Sequence, residues 1–240
     1  MQKTILITGA AKRIGAELTL RFAAQNWNVL IHYNNSEIEA NQLCKKINSN
    51  QNFTGIAKIF RADLTNETDI INLFNFASKE FAQIDVLINN AGVFPAKKSI
   101  INIDALFWDN VIDMNLRSQF LTSREFSKIA KENSKIINFS SLGGLKIWEQ
   151  KIPYNISKSA VIQLTKALAR ELAPRISVNC ICPGIVKVAD NEEVFISETK
   201  IPMQRYATVD DIFELVHFFA TSTNYITGQV VTVDGGLEFI

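Results

Sequence analysis

The chain has 240 residues, 47% of them hydrophobic and 20% charged, with a formal net charge of +1. That profile excludes a disordered chain, and it excludes the broad cationic surface that nucleic acid requires. Cys44, Cys180 and Cys182 have neither the even count of a disulfide framework nor a metal-ligand spacing, so free thiols in a reducing cytoplasm, and no metal centre, are expected.

In chain order, apolar runs of strand length fall at 3-8, 28-33, 56-61, 84-88, 135-140, 176-182 and 229-233, separated by helical-period stretches at 14-26, 36-50, 66-82, 103-131 and 153-173. This alternation predicts an α/β fold, a doubly wound parallel sheet with helices on both faces. In 153-173, Ala160, Val161, Leu164, Ala167, Leu168 and Leu172 recur at helical spacing, as a sheet-facing stripe should, and Pro174 ends the helix. No linker, repeat or low-complexity tract divides the chain, so residues 1-240 read as one domain. The first strand begins by Lys3, leaving no room for a secretion signal, and no apolar run reaches membrane-spanning length. A soluble cytoplasmic protein with no membrane partner is expected.

Gly9, Gly15, Gly92, Gly143, Gly144, Gly184, Gly235 and Gly236 all fall at or just past the carboxyl ends of these strands. That edge is where open α/β sheets bind ligands. The first of these turns, "TGAAKRIG" (Thr8 to Gly15), joins a strand to a helix whose free amides and dipole suit a pyrophosphate, but Arg13 takes a slot where such turns place glycine. The second strand runs into "IHYNNSE". An NAD site places an acid there for the ribose 2′-hydroxyl. Asn34, Asn35 and Ser36 are neutral donors instead, and with Lys12 or Arg13 they suit the 2′-phosphate of NADPH, while Glu37 keeps NADH open. The same three residues also read as a helix cap.

Tyr154 and Lys158 stand four apart in an expected helix and project from one face. An adjacent ammonium and an oxidised nicotinamide would favour the Tyr154 phenolate, bringing it towards acid/base range. Ser141 closes "KIINFSS", placed to hydrogen-bond a carbonyl oxygen as charge builds on it. "NNAG", with Asn90, Ala91 and Gly92, follows another strand, and Asn115 interrupts an apolar helical face beside Met114 and Leu116.

In the order and spacing of "TGAAKRIG", "ADLT", "NNAG", Asn115, Ser141, "YNISK", "NCICPG" and "ITGQVVTVDGG", the chain resembles the short-chain dehydrogenase/reductase family over essentially its full length. The resemblance implies a Rossmann fold with seven parallel strands, hydride transfer with NADP(H) and a small-molecule substrate. It also implies a tetrad of Asn115, Ser141, Tyr154 and Lys158: Tyr154 the proton donor, Lys158 on the nicotinamide ribose, Ser141 polarising the substrate, Asn115 anchoring a water towards Lys158. Gly9, Lys12, Arg13, Ile14 and Gly15 would hold the cofactor at its first turn, Asp63 and Leu64 at adenine, Asn90, Ala91 and Gly92 along its length, and Pro183 and Gly184 at nicotinamide. The family's members are usually tetramers, joined here through 103-131 and 153-173, with the terminal "LEFI" reaching a neighbour.

Within the family, Arg13 and the His-Tyr run closing the second strand look like the pteridine reductases, which implies a pterin or similar flat heterocycle bound by Arg13, Phe94, Ser141, Trp148 and Tyr154. Phe94 is either a stacking face for that ring or a loop residue packed on the core. Two departures favour a ketone or 3-oxoacyl thioester: Ser141 stands where pteridine reductases carry Asp, and "AGVFPAKK" replaces their serine-bearing loop. Lys97 and Lys98 read as a solvated pair on that loop's rim. Trp148 is expected as a pocket wall, and 185-205 as a lid that sets specificity. A nucleotide-sensing regulator is the other class this fold permits; a complete tetrad argues against it.

Overall fold

The computed structural model describes residues 2-188 and 196-240. Its sheet contains β1 (Thr4–Ile7), β2 (Asn28–Tyr33), β3 (Ala57–Arg61), β4 (Val86–Asn89), β5 (Ser134–Phe139), β6 (Ile176–Pro183) and β7 (Val230–Val233). All pairings are parallel, in the order β3-β2-β1-β4-β5-β6-β7. The order reverses between β1 and β4, where crossovers leave to opposite faces and a crevice opens at the carboxyl edge. Around the sheet stand α1 (Arg13–Ala24), α2 (Glu37–Asn48), α3 (Glu67–Glu80), α4 (Ala105–Ile112), α5 (Ser118–Ile129), α6 (Ile152–Glu171) and α7 (Val209–Thr221).

β1 is buried on both faces, which is why it reads as an unbroken apolar run. Successive side chains point to opposite sides, so Ile5 and Ile7 pack with Leu18, Phe22, Leu43 and Val216 while Leu6 packs with Leu73, Phe74 and Phe126. Two layers of helix thus close over one sheet.

Three expectations are corrected. The stretch 103-131 is not one α-helix: α4 and α5 join through a π-helical segment, Asp113–Arg117, which carries Asn115. A further stretch, α7, escaped the strand-helix alternation although Thr208 and Asp211 form a capping box at its start. Its run of Phe218 and Phe219, one exposed and one buried, blurs the helical period. The sheet-facing stripe of α6 is Tyr154, Ser157, Lys158, Val161, Ile162, Thr165 and Ala169, whereas Ala167 is exposed. Polar residues occupy half of that face, so its apolar positions alone misplace it. Among the described residues no helix is long and apolar enough to cross a membrane.

Candidate active site

The turn after β1 is bound to the turn after β4. Thr8 Oγ1 accepts from the amides of Asn90 and Ala91, each at 3.0 Å, and Asn90 Nδ2 donates to the carbonyls of Thr8 and Gly9 at 2.9 and 3.2 Å. Gly9 has φ +62, and a Cβ on Gly15 would lie 2.2 Å from the Gly9 carbonyl oxygen. The close approach therefore falls on Gly15, which leaves the Arg13 slot free for a side chain. Arg13 adopts φ 54, a conformation that costs an L-residue about 1–2 kcal/mol, and its side chain lines the crevice with Ile14. The first turn of α1 contains no acid and no side-chain cap. Its leading amides and positive dipole end suit a pyrophosphate. The sequence reading missed His32, whose ring holds this turn from below: Nδ1 accepts from the Gly9 amide at 3.0 Å.

At the far end, Lys12 Nζ lies 2.8 Å from Glu39 Oε1, an acid in the first turn of α2 that went unremarked in favour of Glu37. Ser36 is the N-cap residue, yet its side chain makes no capping bond. Arg61 Nε donates to the Asn34 carbonyl at 3.1 Å and fixes the segment from Asn34 through the exposed Asn35. Asp63 accepts from the Thr65 amide and hydroxyl at 2.9 and 2.8 Å, and Leu64 is buried among the α3 side chains.

The tetrad residues come together from three elements. Tyr154 and Lys158 project from the first turns of α6, both buried; Ser141 follows β5; Asn115 sits in the π-helical segment. Ser141 Oγ accepts from the Gly143 amide at 3.1 Å, and Ser141 and Tyr154 line the same crevice. Burial pushes the Tyr154 phenol up to about 12, against the opposing effect of Ser141 nearby. Removal from water outweighs every neighbour in the chain itself, and the phenol keeps its proton at neutral pH. Lys158 Nζ donates to the Phe139 carbonyl at 2.9 Å, and burial pushes its ammonium down to about 8.

Asn115 is tied to the loop after β4 and to α6. Its Oδ1 accepts from the Val93 amide at 2.7 Å, and its Nδ2 donates to the Val93 carbonyl at 3.0 Å and to Ser157 Oγ at 3.1 Å. It clamps the loop after β4 and does not bond Lys158. Gly92 stands between the two: a Cβ there would meet Asn115 Oδ1 at 3.0 Å and Lys158 Nζ at 3.4 Å.

A crevice of about 590 Å³ joins these groups, lined among others by Arg13, Gly92, Phe94, Ser141, Trp148 and Tyr154, with Pro183 and Gly184 on the β6 side. Phe94 is half-exposed, so it is not a core residue; its ring meets Tyr154 edge-on at 4.8 Å. Lys151 Nζ stacks on Phe94 at 3.8 Å and donates to the Pro95 carbonyl. Asn155 holds Trp148 by both backbone groups, accepting from its amide at 3.2 Å and donating to its carbonyl at 2.8 Å. Lys97 is exposed as expected, but Lys98 is half-buried, its Nζ 4.1 Å from the Phe107 ring. Of the expected lid, Ile185 and Val186 line the crevice and Val186 pairs with Ala207; residues 189-195 lie outside the described residues. Cys180 and Cys182 are buried free thiols behind Lys158, and no metal-binding group of three or more His, Cys, Asp or Glu occurs among the described residues.

A doubly wound sheet with a Tyr–Lys pair at its switch-point crevice defines an oxidoreductase of the dinucleotide-dependent class. A family model described as enoyl-(acyl carrier protein) reductase matches residues 9–238. A structure described as a short-chain dehydrogenase/reductase from Burkholderia xenovorans is 30% identical with a TM-score of 0.90, covering 100% of this chain and 99% of its own. A short-chain dehydrogenase from Burkholderia cenocepacia in complex with NADP is 28% identical, TM-score 0.89, over 98% of this chain and 97% of that one. An NADH-dependent reductase, A1-R′, responsible for alginate metabolism is also 28% identical, TM-score 0.88, over the same shares. The chain belongs to the short-chain dehydrogenase/reductase family.

Proposed function

We propose that this chain reduces a carbonyl compound at the expense of NADPH, with Tyr154 as proton donor. The convergence of Ser141 and Tyr154 on one crevice carries this reading. Two hydroxyls on one wall can meet a single substrate oxygen, one donating a hydrogen bond as charge develops and the other its proton. The glycine cradle at Gly9 and Gly15 and the uncapped start of α1 fit a dinucleotide, as the NADP complex of one relative supports.

When bound, the dinucleotide supplies the hydride. The protein's own groups do the rest. Arg13, Ile14 and Gly15 would hold the pyrophosphate, and Lys12 with Asn34 to Ser36 the 2′-phosphate. Asp63 and Leu64 would hold adenine, Asn90 to Gly92 would line the length of the dinucleotide, and Pro183 and Gly184 would flank nicotinamide. Lys158 would bind the nicotinamide ribose, and its ammonium would stabilise the phenolate that Tyr154 becomes on giving up its proton. Asn115 keeps the loop from Gly92 to Phe94 in place through Val93.

A pterin or related flat heterocycle is the second reading, favoured by Phe94 against Tyr154 and by Arg13 on the wall. Lys151 covers part of the Phe94 ring, which leaves less of it for stacking. NADPH oxidation measured side by side with an acetoacetyl thioester, dihydrobiopterin and dihydrofolate separates the two. Turnover of the thioester supports the first reading; turnover of the pterins alone replaces it with the second. Tyr154→Phe should lower turnover by about 10²–10⁴-fold while NADPH still binds.

Exposed Leu106, Phe120 and Ile156 on α4, α5 and α6 support contact between copies of the chain, which we infer to be a homotetramer. A stable monomer in sedimentation at micromolar concentration would refute that.

A further inference from the structure

Tyr154 has a lysine on either side of it along the chain. Lys151, the residue before α6, comes three positions earlier, and Lys158 comes four positions later. Lys158 belongs to the tetrad. Lys151 does not, yet it is only 6% exposed. Burial and neighbouring Lys97 both push its ammonium down, and no acid among the described residues offsets them. A cation held out of water without a carboxylate is costly, and an apolar side chain of similar length would fill the same space without that cost. Its contacts lead to one loop. Nζ lies 3.8 Å over the Phe94 ring and donates to the carbonyl of the next residue, Pro95. The backbone adds a third tie, from the Lys98 amide to the Gln150 carbonyl at 3.0 Å. Phe94, half-exposed on the crevice wall, in turn meets Tyr154 edge-on with ring centres 4.8 Å apart. Asn155, directly after Tyr154, ties Trp148 by its backbone. The start of α6 thus carries Tyr154 together with the tethers of two aromatic walls.

We propose that Lys151 is a positioning residue that sets substrate specificity: it fixes Phe94 beside the Tyr154 phenol, and the fixed ring limits the group carried on that side of the reacting carbonyl. A ketone with a slender substituent such as methyl passes Phe94; one with a phenyl ring meets it. An ammonium does this where an apolar side chain would not, because it grips the ring face and the adjoining carbonyl together, and the paired contacts keep the ring from turning away. A guanidinium can make the same pair, with a plane for the ring and donors for the carbonyl. This inference rests on the carbonyl-reductase reading above.

The experiment compares acetoacetyl and benzoylacetyl thioesters, which differ only in the methyl or phenyl group on the reacting carbonyl, with the full chain and NADPH. In Lys151→Met, kcat/KM for the benzoylacetyl relative to the acetoacetyl thioester should rise by about tenfold, while the NADPH dissociation constant stays within about twofold. Lys151→Arg should restore the wild-type ratio. Phe94→Ala should raise the ratio likewise, and adding Lys151→Met to it should change the ratio no further, because the lysine acts through a ring already gone. Hydrogen exchange reads the clamp without any substrate. In Lys151→Met it should quicken by about tenfold at the Lys98 amide and stay unchanged at Val93, whose amide is held by Asn115. If Lys151→Met does not fold, Lys151→Gln takes its place in every comparison. A ratio unchanged in Phe94→Ala, additive effects in the double variant, or unaltered exchange at Lys98 overturns the proposal while leaving the carbonyl-reductase reading intact. Wild-type protein that turns over neither thioester overturns both.

Discussion

His32 holds the Gly9 turn through a single defined tautomer. Its Nδ1 accepts from the Gly9 amide at 3.0 Å while its Nε2 lies 3.0 Å from the Ala62 carbonyl. An amide only donates and a carbonyl only accepts, so the proton resides on Nε2 and the ring is neutral. Burial pushes its titration down from 6.5 to about 4, although Asp63 nearby and the Ala62 bond oppose this.

An acid limb in stability follows. Between pH 6.5 and 4 the unfolded chain takes up a proton that folded His32 refuses, so stability present above pH 6.5 is lost as pH falls towards 4. The loss amounts to about 3 kcal/mol. Urea unfolding at pH 7 and pH 4.5 measures it. In His32→Gln, which cannot titrate, the difference between the two pH values should shrink by about that amount; an unchanged difference would refute the assignment.

Lys158 makes a second, opposite trade. Its ammonium is held at about 8 against 10.5 in the open chain, so the folded protein carries a burial cost below pH 8 that is relieved as pH rises from 8 to 10.5. Lys158→Met removes that cost but also the bond to the Phe139 carbonyl, for a net gain of about 2 kcal/mol at pH 7. Thermal unfolding should shift upward by about 5 °C while turnover is lost. In the unmodified enzyme, kcat/KM for reduction should fall as pH rises through about 8, where the free enzyme loses the ammonium.

Gly143 lies against two crevice residues at once. A Cβ there would meet Trp148 Cδ1 at 2.6 Å and Tyr154 Cε1 at 2.8 Å. Gly143→Ala should therefore displace the phenol and lower kcat by about 10²-fold, the usual cost of a misplacement near 1 Å. The NADPH dissociation constant should stay within about twofold, because the nucleotide turn is untouched. Equal losses in both quantities would mean that the whole crevice had collapsed.

Asn155, between Tyr154 and Lys158 inside "YNISK", holds Trp148 by its amide and its carbonyl. With Asn155→Ala, the wall loses its tether, and the substrate KM should rise by about five- to tenfold with the KM for NADPH unchanged. Steady-state kinetics with each substrate varied in turn read this split directly.

The strand-helix alternation and the glycines at strand ends made the sheet and its ligand edge legible, because buried parallel strands need unbroken apolar runs and crossovers need helices. Tyr154 and Lys158 were legible for a similar local reason: a spacing of four places both on one helical face. Their surroundings were not. Nothing local assigned His32, Glu39 or Asn155 its contact, since their partners lie 23, 27 and 7 residues away along the chain. The π-helical segment also escaped notice, because the spacing on either side of it is helical and only the phase of the apolar face changes across it.

The sequence by itself therefore determined the layered α/β architecture, the crevice edge and the pair of groups that can pass a proton, all of which depend on local periodicity and spacing. Only the tertiary structure decided how those groups are tuned. Burial sets the directions of Tyr154, Lys158 and His32, and the packing of β2 beside β1 brings Glu39 onto Lys12. Desolvation and contacts across the sheet arise only when distant segments close on one another, and no single stretch of chain encodes them.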